Sequence, residues 1–176
     1  VQQQFFPAAS RPELTLDLRL PEGASLDATQ AEVRKLEAIL LGESAYRDRI
    51  ENFVSYVGTG SPRFYLPFDQ QLVNANFGQF IVNTKSNEDR EAVRSALLER
   101  FTRDFPGVRG RVNRLENGPP VGFPVQFRVV GEDKARIREV AREVAANMRD
   151  NPWTHDVQFD WDEPSKVIRL VVDQER

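Results

Sequence analysis

Cysteine is absent from the 176-residue chain, and histidine and methionine occur once each, as His155 and Met148. The first absence excludes disulfides, thiolate metal sites and a cysteine nucleophile. The scarcity of the other two leaves little for a zinc, copper or haem site. Long hydrophobic runs are also missing. The longest, Ala38-Ile39-Leu40-Leu41, falls far short of the ~20 residues of a membrane-crossing helix. No stretch has the basic, apolar and small-residue layout of a signal peptide. Neither sign of charge dominates: Lys plus Arg number 24 against 27 Asp plus Glu, a net charge of −3. That balance argues against nucleic acid as a partner, since phosphate binding needs a basic surface. Hydrophobic residues at 40% and charged residues at 29% are in the range of folded globular chains, here one domain or two small ones.

Two patterns organise what is present. Residues 1–12 are polar with two prolines and read as an extended lead-in. Leu14, Leu16, Leu18 and Leu20 then alternate with polar residues, which predicts a half-buried strand over 13–20. Ser25 is a candidate N-cap for a helix whose apolar face is Thr29, Val33, Leu36 and Leu40, with Gly42 as its closing cap. Strands are predicted over 50–57, 77–84 and 108–115. A helix between the last two starts at Ser86 with S-x-x-D spacing and buries Val93, Ala96, Leu97 and Phe101. After a Gly- and Pro-rich linker the theme restarts. A strand is expected over 124–130, a helix over 133–148 and strands over 157–161 and 167–172, the last two joined by an acidic turn at 162–164. The fold class expected is α+β: a ferredoxin-like βαββαβ subdomain, then a partial βαββ subdomain of the same type. A second unit without its second helix reads as a piece of something longer.

No catalytic motif is found: there is no G-x-S-x-G, P-loop, dinucleotide fingerprint or H-E-x-x-H. His155 beside Asp156 is either a catalytic pair or, more simply, a surface residue after a helix end. Asp160, Asp162 and Glu163 near Trp161 are either hard-cation ligands or a solvated turn. Two features stand out. The loop 58–76 has neither helix nor strand periodicity and sets Phe64, Tyr65 and Phe68 among glycines and prolines. Such a loop suits the wall or gate of an apolar ligand site, or its rings tuck beneath it as a satellite core. The fourth strand aligns Arg109, Arg111 and Asn113 on one face, which is either a cationic hydrogen-bonding surface or an ordinary solvated sheet face.

The strings FFPAASRPELTLDLRLPEGAS, SYVGTGSPRFYLP, FPGVRGRV, NGPPVGFPVQFRVVG and VVDQER run in order along the whole chain. Together they resemble the periplasmic porter region, C-terminal half, of resistance–nodulation–division (RND) efflux transporters of the AcrB/AcrD/AcrF type. The resemblance implies a membrane helix before residues 1–12 and a first porter subdomain over 13–117. It further implies a linker over 118–123 and the opening part of a second porter subdomain over 124–176. It also implies a homotrimer in a Gram-negative inner membrane, a periplasmic adaptor and an outer-membrane channel, proton-driven export of amphiphilic or hydrophobic small molecules, no enzyme activity and no cofactor. On that resemblance, Phe64, Tyr65 and Phe68 lie on the mobile cleft loop, Arg109, Arg111 and Asn113 on a cleft-facing strand, and Asp17, Gln158 and Asp160 at other cleft positions. Methionines serve the heavy-metal branch here, and Met148 falls on a helix core face, which speaks against metal export. The competing reading is a stand-alone pair of ferredoxin-like units that binds one small regulatory ligand. Membrane helices encoded on both sides of this segment would separate the two.

Overall fold

The computed structural model describes residues 9–118, 122–123, 125–154, 156–161 and 168–171. By internal contacts the chain divides into a first unit, residues 1–120 with 163–176, and a second, residues 121–162.

In the first unit the alternating leucines form β1, Glu13–Arg19, at an inner position of a sheet of order β2-β3-β1-β4. Its neighbours are β3, Phe77–Thr84, and β4, Arg109–Arg114, and β2, Ile50–Val57, lies outside β3; every pairing is antiparallel. Helix α1, Leu26–Gly42, starts where Ser25 Oγ accepts the Ala28 N–H, and it buries the anticipated Thr29, Val33, Leu36 and Leu40. Helix α3, Asn87–Asp104, starts on Ser86, whose Oγ accepts the Asp89 N–H at 3.0 Å. That hydroxyl also donates to the Asp89 carboxylate, holding its pKa below the usual range. Both helices lie on one sheet face, where Leu14, Leu16, Leu18, Phe80, Val82 and Val112 meet Val33, Leu36, Leu40, Val93, Leu97 and Phe101. This is the ferredoxin-like arrangement, a two-layer solution that buries one face of the sheet.

Two local expectations change. Gly42 is the last helical residue and not the cap; the Glu43 N–H bonds Ile39 O, and a short helix α2, Ser44–Arg47, follows with Tyr46 buried. Ala9–Pro12 is also firmly anchored. Ala9 N donates to Leu115 O, Thr84 N and Oγ1 to Pro12 O, Asn87 Nδ2 to Ser10 O, and the buried Arg90 guanidinium to the carbonyls of Ala9 and Arg11.

The second unit departs further from expectation. Its helix forms: α4, Lys134–Arg149, is capped by Asp133, whose carboxylate accepts from Ala135 N and Arg136 N. Ala145 is buried, and Ile137, Val140, Ala141, Val144 and Met148 are half-buried. The strands expected over 124–130, 157–161 and 167–172 do not form among their described residues. Alternation marks a face, but a strand also needs a hydrogen-bonded neighbour. Val125, Phe127 and Val130 stand mostly exposed, as do Ile168, Leu170 and Val171 of the first unit. Residues 156–161 instead lean on α4, with the Arg138 guanidinium 4.7 Å from the Trp161 ring centroid and that of Arg149 5.8 Å from Phe159. Among the described residues of 121–162, α4 is the one regular element. His155 and the acidic turn at 162–164 lie outside the described residues, as do residues 1–8. Among the described residues no helix is long and apolar enough to cross a membrane.

Candidate functional site

The sheet face turned away from α1 and α3 carries the candidate site. Pairing registers fix its rows. Tyr56, Gln79, Asp17 and Arg111 form one row from β2 to β4, and Val54, Ile81, Thr15 and Asn113 form the next. Phe77, Arg19 and Arg109 form a third across β3, β1 and β4. Each strand step is about 4.8 Å, so each full row spans roughly 14 Å. Side chains change character along it. Val54, Tyr56 and Ile81 make the β2 side apolar, Gln79 and Asp17 are neutral and anionic, and Arg19, Arg109 and Arg111 make the β4 side cationic.

The 58–76 loop folds against the apolar side. Ser61, itself buried, donates its backbone N–H to Gln79 Oε1 at 2.7 Å. Gly60 sits so close to Gln71 that an added Cβ would come within 2.8 Å of that residue's Cβ, so the loop admits no larger residue there without shifting. Val54, Tyr56, Ser61, Pro62, Phe64 and Ile81 line a shallow, open cavity of about 310 Å3. Phe64, Tyr65 and Phe68 form one ring cluster with centroids 4.9 to 5.7 Å apart. Phe68 is buried, Tyr65 half-buried and Phe64 exposed. The cluster thus serves both readings: Phe68 is loop core, and Phe64 lines the cavity. The Tyr65 hydroxyl accepts the Glu116 N–H at 3.3 Å, tying the loop to the chain just past β4.

Burial pushes the Asp17 carboxyl above its ordinary pKa, and Asp69 adds to the rise. A hydrogen bond from Gln79 Nε2 at 2.7 Å and the charges of Arg111 and Arg19 oppose it. The folded chain therefore holds the Asp17 proton more tightly than the unfolded chain. Between the ordinary carboxylate pKa and the raised one, stability falls as pH rises, and above both the cost is fully present. Asp17→Asn is expected to raise the thermal midpoint at pH 7, with the gain vanishing below about pH 4. An equal gain at both pH values in parallel melts would contradict this.

The structure brings Asp17, Arg111 and Asn113 together with Arg109 on one face; of the loop aromatics, Phe64 lines the apolar side and Tyr65 reaches Glu116, just past β4. Gln158 and Asp160 belong to the second unit, where Gln158 Nε2 donates to the Asp156 carboxylate at 2.8 Å and Asp160 is exposed. Sequence reasoning missed Gln79, Ser61, Val54, Tyr56 and Ile81. The signal was present in the topology, because βαββαβ pairing sets β3 beside β1 and opposes Gln79 to Asp17. Among the described residues no three histidine, aspartate or glutamate side chains converge as metal ligands. A second cavity, of about 300 Å3, is bounded by Leu20, Glu32, Lys35 and residues 105–108. Lys35 spans it structurally, stacking 4.2 Å from the Phe105 ring centroid and bonding Asp104 O.

The first unit is thus a ferredoxin-like module whose second sheet face carries an amphiphilic set of side chains with a loop laid against it. The chain belongs to the AcrB/AcrD/AcrF family, whose model matches residues 1–176. Among solved structures it is similar to a heavy metal efflux pump determined by X-ray crystallography. That likeness has a TM-score of 0.64 at 20% sequence identity, covering 97% of this chain and 18% of the pump's chain. It bears on the fold, and the chain spans less than a fifth of the pump's length. No curated protein matches the chain.

Proposed function

We propose that this chain is a substrate-recognising, cleft-forming part of a proton-driven RND exporter of amphiphilic or hydrophobic small molecules. In this reading residues 13–117 are one porter subdomain, 118–123 a linker and 124–176 the opening part of a second. The whole protein works as a homotrimer in a Gram-negative inner membrane, with these residues in the periplasm, and passes substrate to an adaptor and an outer-membrane channel. The role is binding and movement, with no bond made or broken.

The observation that carries the reading is the polarity gradient across the open face of the sheet. An anionic amphiphile fits it end to end. Its head is met by Arg109, Arg111 and Asn113, and its apolar body lies toward Val54, Tyr56 and Ile81 beneath Phe64. Arginine offers several N–H donors in a planar fork, which suits carboxylate, sulfate or phosphate heads. The apolar end offers area without fixed polar partners, so it tolerates varied shapes. Tyr65 and Phe68 back Phe64, Asp17 balances part of the arginine charge, and Gln158 and Asp160 are substrate contacts of the second unit. Family membership supports transport as the setting. The cargo of the structurally similar pump remains a property of that pump.

The test is export by the full-length protein. Arg109→Ala combined with Arg111→Ala is expected to reduce efflux of an anionic amphiphile roughly tenfold, about 1.4 kcal/mol of binding. A neutral analogue with the same tail should be exported nearly as before. Equal loss for both, or loss for neither, would sink the charge-reading role.

A further inference from the structure

Two polar residues where the 58–76 loop meets the sheet are almost wholly removed from solvent: Gln79 is 2% exposed and Ser61 1%. They are joined. Gln79 Oε1 accepts the Ser61 backbone N–H at 2.7 Å, and Gln79 Nε2 donates to Asp17 Oδ1, also at 2.7 Å. One carboxamide therefore bridges strand β1 and the 58–76 loop from its place on β3.

The chemistry of the partners dictates the bridging group. A backbone N–H can only donate, and an ionised carboxylate can only accept. Whatever lies between must accept on one side and donate on the other, without borrowing a proton. Among side chains of this reach, a carboxamide satisfies both. Methionine matches glutamine in length but leaves a buried N–H and a buried carboxylate oxygen without that partner, a costly outcome. An ionised glutamate accepts from Ser61 but sets a second negative charge against Asp17. Because Gln79 Nε2 donates to Asp17 Oδ1, that bond also fixes which end of the amide faces the loop.

We propose that Gln79 is the positioning residue of the 58–76 loop, holding Ser61 and Pro62 against the sheet and so setting the depth of the cavity they share with Val54, Tyr56, Phe64 and Ile81. Asp17 takes part as the group that orients the amide. Space for the apolar part of a ligand is then governed by a bridge that touches the loop backbone and not the ligand. The proposal rests on the functional reading only for the identity of this face as the ligand face.

Hydrogen–deuterium exchange of the segment around Ser61, in the full-length protein without ligand, tests the bridge. Tryptic cleavage after the exposed Arg63 gives a second readout. Gln79→Met and Gln79→Glu are each expected to speed loop exchange and cleavage at least tenfold while β1 and β3 amides stay protected. The exchanged pair, Asp17→Asn with Gln79→Glu, is expected to restore protection. The new amide at position 17 then donates to the new carboxylate at position 79, which still accepts the Ser61 N–H. Wild-type loop exchange in Gln79→Met would overturn the proposal. So would failure of the exchanged pair to restore protection while the sheet stays protected. If Gln79→Met loosens the sheet itself, the exchanged pair alone decides. Because no ligand is present, these outcomes are independent of the arginine export test, and either can fail without the other.

Discussion

Truncating Phe80 to alanine is expected to cost the 176-residue chain about 3–5 kcal/mol, the usual range for emptying a buried aromatic site. Phe80 is fully buried at the centre of β3, opposite Leu16 and 5.9 Å, centroid to centroid, from the Phe53 ring. Neighbours on α1, α3 and the sheet cannot all collapse into the space, because the packed helices hold them apart. Phe64→Ala makes the informative contrast. Phe64 is 43% exposed on the loop, and its ring contacts with Tyr65 and Phe68 are worth about 1 kcal/mol. Urea titration should therefore separate the two phenylalanines widely. Export assays should separate them the other way once expression levels are matched, with Phe64→Ala losing apolar substrates while folding normally. Similar unfolding midpoints for the two variants would contradict this division of labour.

Gly110→Ala is expected to be the second severe lesion. Gly110 lies between Arg109 and Arg111 and points to the helical side, where an added Cβ would overlap the Phe101 ring. That ring is 6% exposed and packed 5.4 Å, centroid to centroid, from Phe105, so it has little room to retreat. Overpacking of this kind costs about 3 kcal/mol. Displacement of β4 would also move both arginines, so the expected signature couples lower stability with loss of anion discrimination. Phe101→Leu, mildly destabilising alone, should recover part of the loss when combined with Gly110→Ala. A double-mutant cycle in thermal unfolding reads this directly, and strict additivity would remove the steric explanation.

These two glycine and phenylalanine positions also mark how far a sequence can be read. Strands β2 and β3 and the start of α3 were legible residue for residue, because strand patterning and a serine cap agree locally. The strands expected beyond residue 123 are not formed among the described residues. Val125 and Phe127 have the right spacing, but nothing in a period of two says which strand will pair with them. The candidate site divides in the same way. Arg109, Arg111 and Asn113 were visible as one face of one strand. Phe64 was visible as an aromatic in a Gly- and Pro-rich loop. Gln79 carries no local signal, since its bonds to Ser61 and Asp17 cross tertiary distances. What Gly110 spares is visible only once the Phe101 ring is placed above it.

The anchoring of Ala9–Pro12 has a mechanical consequence. Its attachments reach the end of β3 through Thr84, the first turns of α3 through Asn87 and Arg90, and the residue after β4 through Leu115. Glu91 extends the connection, accepting from Arg90 Nε at 2.9 Å and from Arg114 Nε at 2.8 Å. A tension applied along this segment is shared among several bonds at once and delivered to both a helix and the sheet. No one bond carries the load, and no strand is peeled from its edge. Residues 9–12 are thus fastened into the unit at a helix and at the sheet together.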